Sequence, residues 1–228
     1  MRQRALFIAA VLASASAQAN EYGHYEVKKF INMSTAADGQ ASVTLRLPLF
    51  NHVLDDLGAH AGAYPPRFDT LEDRHRAEAD VTLIANILDP MAGNFAHNPP
   101  MLFRLGLLHT IGHNLDLPGS DAKAVAAFKA LLALTPDDPR ANFRYGMFLA
   151  GTTKLADAVP YLEKAKSLGV VAADYPLGVA YAALGNKALA LEHLQSYSQR
   201  VPGDENATKM IDALRQGNVD VQHASERN

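Results

Sequence analysis

The alternation of apolar and polar positions marks two short strands followed by a succession of helices. Residues 24–31 (HYEVKKFI) and 41–47 (ASVTLRL) alternate or cluster β-branched and aromatic residues around the turn-rich stretch STAADGQ, which predicts a β-hairpin. Two strands alone are marginal in water, so the hairpin is expected to pack on the helices that follow or to add to a partner's sheet. Residues 50–61 read as a short helix, ended by Gly62 and the Tyr64-Pro65-Pro66 break. Asp69 followed by Glu72 is a capping-box-like start, and Leu71, Ala77, Val81, Ile84 and Leu88 recur at helical spacing as far as Pro90. The polar side of that helix, EDRHRAEAD, carries both signs at i, i+3 and i+4 and reads as a solvated face. GNFAHNPP, residues 93–100, reads as a loop and as the boundary of an N-terminal portion spanning 20–100.

The second half of the chain repeats itself. Gly112, Gly146 and Gly178 are each followed twelve positions later by Ala124, Ala158 and Ala190, and four further on by Phe128, Leu162 and Leu194. Three past each glycine stands Leu115, Leu149 or Tyr181, and 24 past it stands Pro136, Val170 or Pro202. Small residues suit a close crossing of two helices, large apolar ones fill the gap between them, and proline stops the second helix. The glycines lie 34 and then 32 residues apart.

This spacing resembles the tetratricopeptide repeat, W-x2-L-G-x2-Y followed by A-x3-F and P in a 34-residue helix-turn-helix. The stretch YLEKAKSLGVVAADYPLGVAY is also similar to the related Sel-like repeats. The sequence departs from the pattern at the tryptophan position, held here by Leu108, Asn142 and Asp174, and at Val179. The resemblance implies a mainly α protein: a tetratricopeptide-like α-solenoid of about three repeats over residues 101–217, behind the small hairpin and one or two helices. Residues 204–216 (DENATKMIDALRQ), with Met210, Ile211 and Leu214 as the buried stripe, form the expected capping helix, and 218–228 a flexible tail. The helix of residues 68–90 is a candidate degenerate first repeat.

Composition narrows the class. Hydrophobic residues make up 48% and charged residues 20%, which suits a globular chain and excludes a disordered or collagen-like one. Cysteine is absent, which removes disulfides, thiolate nucleophiles and cysteine-ligated metal sites. Residues 1–19 (MRQRALFIAAVLASASAQA) combine Arg2 and Arg4, an apolar stretch and an Ala17-Gln18-Ala19 ending, as in a Sec-type signal peptide. Export to the periplasm or medium is expected, without lipid attachment because no cysteine follows the cut. That apolar stretch is too short to span a bilayer. Loss of the two leader arginines takes the formal charge from −3 to −5, which argues against nucleic acid as a partner.

Candidate chemistry is sparse. His109 and His113 lie four apart with Asp116 a turn beyond, so a metal could sit between them, with His52 or His60 brought in by folding. HTIGH lacks the glutamate of H-E-x-x-H, and no G-x-S-x-G, P-loop or G-x-G-x-x-G occurs, so neither an enzyme nor a bound cofactor is expected. The resemblance assigns another role: first helices of tetratricopeptide repeats line a concave groove, which would hold His109 and His113, then Arg140, Phe143, Arg144 and Met147, then Tyr175. Such a groove fits a peptide segment, with arginines for carboxylates and Phe143, Tyr175 and Met147 for apolar contact. Only Arg144 corresponds in kind to the lysine and asparagine set of carboxylate-binding members. The competing arrangement leaves Phe143 and Met147 in the core and the arginines in solvent. The sequence thus predicts an exported interaction scaffold or adaptor. Its rivals are a metal-binding or hydrolytic envelope protein using His109 and His113, and a self-associating structural protein.

Overall fold

The computed structural model describes residues 21–35, 41–152 and 154–217; the expected signal peptide and C-terminal tail lie outside them. Nine α-helices and one two-stranded sheet occur among the described residues, and adjacent helices pack in pairs. No described helix is long and apolar enough to cross a membrane. The chain forms two compact units that divide between Leu134 and Thr135, so the boundary expected near residue 100 falls inside the first of them.

In the first unit, β1 (Ile31–Thr35) and β2 (Ala41–Leu45) pair antiparallel, with Ile31 opposite Leu45 and Thr35 opposite Ala41. The hairpin therefore exists, but its first strand starts where the expected one ends. Val27–Lys29 is instead a turn of 3-10 helix, because Val27 and Phe30, three apart, both point into the core. Helix α1 (Leu47–Ala61) begins three residues earlier than expected, with Pro48 in its first turn where a missing N–H costs nothing. Helix α2 (Leu71–Leu88) is capped by Thr70 rather than Asp69: the Thr70 hydroxyl accepts from the Asp73 N–H at 3.0 Å. A 3-10 segment, Asp89–Phe95, runs into the stretch expected as a loop at 93–100, and Asn98 then caps α3 (Pro99–Asn114), which is followed by α4 (Ser120–Leu134).

These elements share one core. Phe50 and Leu57 of α1, Val81, Ile84 and Leu88 of α2, and Leu105, Leu108 and Ile111 of α3 belong to a single buried cluster, which explains why the first helix pair goes with the N-terminal residues. A strap closes it. Tyr22 is fully buried and donates its hydroxyl to Asp80 at 2.8 Å, while Arg76 donates to the Tyr22 carbonyl. The Gly23 N–H and the Tyr25 hydroxyl both donate to Asp56, at 3.0 and 2.7 Å. Burial, reinforced by these carboxylates, pushes both phenols above the usual tyrosine range.

The second unit holds α5 (Pro139–Gly151), α6 (Leu155–Ser167), α7 (Asp174–Ala183), α8 (Lys187–Arg200) and α9 (Glu205–Gln216). Asp138, Asn186 and Asp204 cap α5, α8 and α9 through their side chains. Helices α5 and α6 pack as one pair and α7 and α8 as the next; α7 also lies against α6 and α5, and α9 against α8. Each pair crosses at a glycine. A Cβ on Gly146 would stand 2.7 Å from Leu162 Cγ, and one on Gly178 would stand 2.5 Å from Leu194 Cγ. Ala207, Ile211 and Leu214 of α9 are buried, with Met210 half-buried beside them.

Ala124, Ala158 and Ala190 are all fully buried, as are Phe128, Leu162 and Leu194. The first glycine differs. It is Gly106 that faces Phe128, where an added Cβ would stand 2.7 Å from the ring, whereas Gly112 faces Ser120 and Val81. Helix α3 ends two residues after Gly112, while α5 runs five residues past Gly146, so Gly112 meets the start of α4 and not its middle.

Candidate functional site

Arg140, Phe143, Arg144 and Met147 recur at i, i+3, i+4 and i+7, one face of α5. The two arginines are exposed and Phe143 and Met147 half-buried, while Ala141, Tyr145, Gly146, Phe148 and Leu149 are buried. The exposed face is thus a pair of guanidinium groups beside two partly open apolar side chains. Helix α7 packs alongside α5 in the same unit.

Tyr175, expected on this face, is instead buried at 5% exposure. Its ring lies 5.1 Å from that of Tyr197, in the cluster that α9 completes. Burial, followed by the nearby Asp204 and Tyr197, pushes its hydroxyl up to about 12. No described group hydrogen-bonds that hydroxyl. Tyr175 therefore belongs to the packing among α7, α8 and α9 and not to an exposed face.

His109 and His113 both belong to the first unit. His113 is half-buried; His109 is buried, with Nε2 at 2.9 Å from Asp89 Oδ1, whose other oxygen takes Lys123 at 2.7 Å. His60 is buried too, its Nδ1 at 2.9 Å from the Asp56 carbonyl, whereas His52 is exposed with its ring 5.9 Å from that of Tyr25. No group of three or more metal-ligating side chains is assembled among the described residues.

Burial, opposed by Asp89, holds the His109 imidazole below the ordinary histidine value of 6.5. The unfolded chain then takes up a proton near 6.5 that the folded chain refuses, so stability falls as pH drops below that value toward the folded one. Urea unfolding of the first unit is expected to show this loss, and His109→Gln to flatten it.

A polar centre that the sequence did not reveal lies in the second unit. Asp174, fully buried, receives Lys166 Nζ at 3.0 Å and the Ser196 hydroxyl at 2.9 Å, and pairs with Arg200 at 3.0 Å. His193 Nδ1 stands 2.9 Å from the same carboxylate, and its Nε2 is 3.2 Å from Glu163. Tyr181 stacks on His193 with centroids 5.4 Å apart and donates its hydroxyl to Glu163 at 3.0 Å. Burial pushes the Asp174 carboxyl up, but hydrogen bonds from His193, Lys166 and Ser196 outweigh that and hold it below the usual carboxylate range. The Ser196 hydroxyl serves Asp174 and not His193, so this is not a nucleophile-base pair. It joins α6, α7 and α8 by charge where the repeat pattern has an aromatic residue.

The chain matches no protein-family model, no curated protein and no solved structure.

Proposed function

We propose that the chain is an exported, non-catalytic adaptor of the tetratricopeptide type, binding a segment of another protein on the exposed face of α5. The observation that carries this reading is the recurrence of one crossing, Gly146 against Leu162 and Gly178 against Leu194, each sixteen residues apart, in consecutive helix pairs. A fixed helix-pair unit that nests on its neighbour is the basis of an α-solenoid, whose inner helices present a preformed surface. Arg140 and Arg144 beside Phe143 and Met147 suit a segment that alternates carboxylates with apolar side chains.

The reading draws its binding face from α5 alone. Tyr175 packs in the cluster of α7, α8 and α9, and His109 pairs with Asp89. The test replaces Arg144 by a photo-crosslinking amino acid in cells, with Lys209 on α9 as the control position. A discrete adduct at 144, absent at 209 and lost when Arg140→Glu and Met147→Ser are added, is the expected result. Equal labelling at both positions would remove the face from consideration.

A further inference from the structure

Residues 21–25, the strap, are held as a bound peptide is held. They carry no regular secondary structure, and no backbone–backbone hydrogen bond joins them to another described residue. Side chains grip them from two helices: Asp56 of α1 accepts from the Gly23 N–H and the Tyr25 hydroxyl, while Asp80 of α2 accepts from Tyr22 and Arg76 of α2 donates to the Tyr22 carbonyl. Both helices pack against α3, and the strap bridges them. The buried Tyr22 ring lies edge-on to His60 of α1 at 5.7 Å and to Phe68 at 6.2 Å. Tyr25 folds back over Gly23, where an added Cβ would stand 2.6 Å from its ring. The strap leaves this seat incomplete. Asp73 is 2% exposed; one of its oxygens pairs with Arg76, and the other has no hydrogen-bond partner, nor has Arg76 Nε. Glu72 and Glu21 also face that guanidinium, at 3.7 and 4.0 Å, so three carboxylates gather at one cation.

We propose that the seat between α1 and α2 is a peptide-binding site which the chain keeps filled with its own strap, and that its external occupant is a protein segment in which lysine or arginine precedes Tyr-Gly-x-Tyr. The first tyrosine of such a segment enters the ring-lined pocket and gives its hydroxyl to Asp80; the glycine N–H and the second tyrosine go to Asp56. Glycine is required between them because the second ring folds over it. A basic residue in the place of Glu21 supplies Asp73 with the donor it lacks, and a buried acceptor without a donor is costly. It also exchanges one of three carboxylates for a cation, so that two acids then face two cations. The strap, with Glu21 at this position, is the poorer ligand and prevails because it is tethered, which raises its effective concentration. The site is independent of the α5 face.

Fluorescence anisotropy of a labelled peptide, Lys-Tyr-Gly-His-Tyr-Glu, tests it on the chain as recovered from the cell and on Tyr22→Ala/Tyr25→Ala, whose strap has lost its anchors. Saturable binding to the variant is expected, about a hundredfold tighter than to the parent, where the tethered strap competes at an effective concentration of about 1 mM or more. Phenylalanine for the first tyrosine of the peptide should weaken binding by about tenfold through loss of the bond to Asp80, and glutamate for its lysine by about as much. Circular dichroism checks that the variant folds. Where it does not, the parent decides: the chain has no cysteine, so a fluorophore on His24→Cys, at an exposed position of the strap, reports release, expected with excess peptide and not with a scrambled one. No binding to the folded variant, equal affinity for variant and parent, or indifference to either peptide change would overturn the proposal. So would a misfolded variant together with no release from the labelled parent.

Discussion

Replacing Asp174 with alanine is expected to destabilise the second unit by about 3 kcal/mol, read as a lower urea midpoint at unchanged slope. The carboxylate is fully buried and faces His193, Lys166, Ser196 and Arg200, so its removal leaves their charges and donors without an acceptor. Breaking a buried pair from one side costs about 3–5 kcal/mol, and the lower end applies here because two of the cations can reach water. Side-chain exposure is 30% for Lys166 and 45% for Arg200, against 4% for His193. The pH dependence carries a second signature. A carboxyl held below its ordinary range contributes stability above the ordinary carboxylate value and loses it as pH falls toward the folded one. The Asp174→Ala chain should lack that acid-dependent component. A variant as stable as the parent would show that the centre contributes nothing net.

Gly178→Ala is expected to cost about 1–3 kcal/mol despite the gain in helix propensity. The new methyl would stand 2.5 Å from Leu194 Cγ and 3.2 Å from the Ala190 carbonyl, so α7 and α8 would have to separate or Leu194 to leave its rotamer. Leu194→Ala added to Gly178→Ala should cost less than the two changes summed, because the clash is lost with the leucine. Gly151 is the internal control: it is the last residue of α5 and no atom would meet its Cβ within 4 Å, so alanine there should be near neutral. Full additivity at 178 and 194 would mean that the glycine does not set the crossing.

Helix periodicity and punctuation were legible because they are local. Leu71, Ala77, Val81, Ile84 and Leu88 mark α2 at their spacing, and all but Leu71 are buried. Leu71, 74% exposed, occupies the first position, where a helix has not yet turned its stripe inward. Thr70 took the cap from Asp69 because caps compete within a residue or two and the extended backbone at Thr70 decides. The first strand was displaced because HYEVKKFI serves two spacings, alternation for a strand and Val27 with Phe30 three apart for a tight turn. Burial of both residues selected the turn.

The candidate site was less legible. Gly112 fits the repeat register as well as Gly146 and Gly178 do, yet Gly106 takes the crossing in the first pair, since helix length sets where two partners meet. Tyr175 has the composition of a contact residue, but it is buried in a cluster with residues of α9, more than thirty positions on. The Asp174 centre gathers Glu163, Lys166, His193, Ser196 and Arg200 from two other helices, a convergence no short window contains. Its one trace in the sequence is an aspartate where the repeat pattern has tryptophan.

The strap at residues 22–25 bears on the order in which the chain acquires its structure. Tyr22 reaches Asp80 across 58 positions, so the first unit can complete itself only after a long loop has closed, at an entropic cost that nearest-neighbour helix pairs avoid. Contacts in the second unit join helices adjacent or nearly adjacent in the chain. Low contact order favours rapid assembly. Residues 135–217, although made after the first unit, should therefore reach their native arrangement sooner after release than the unit that precedes them, and the tyrosine latch should be the slow step.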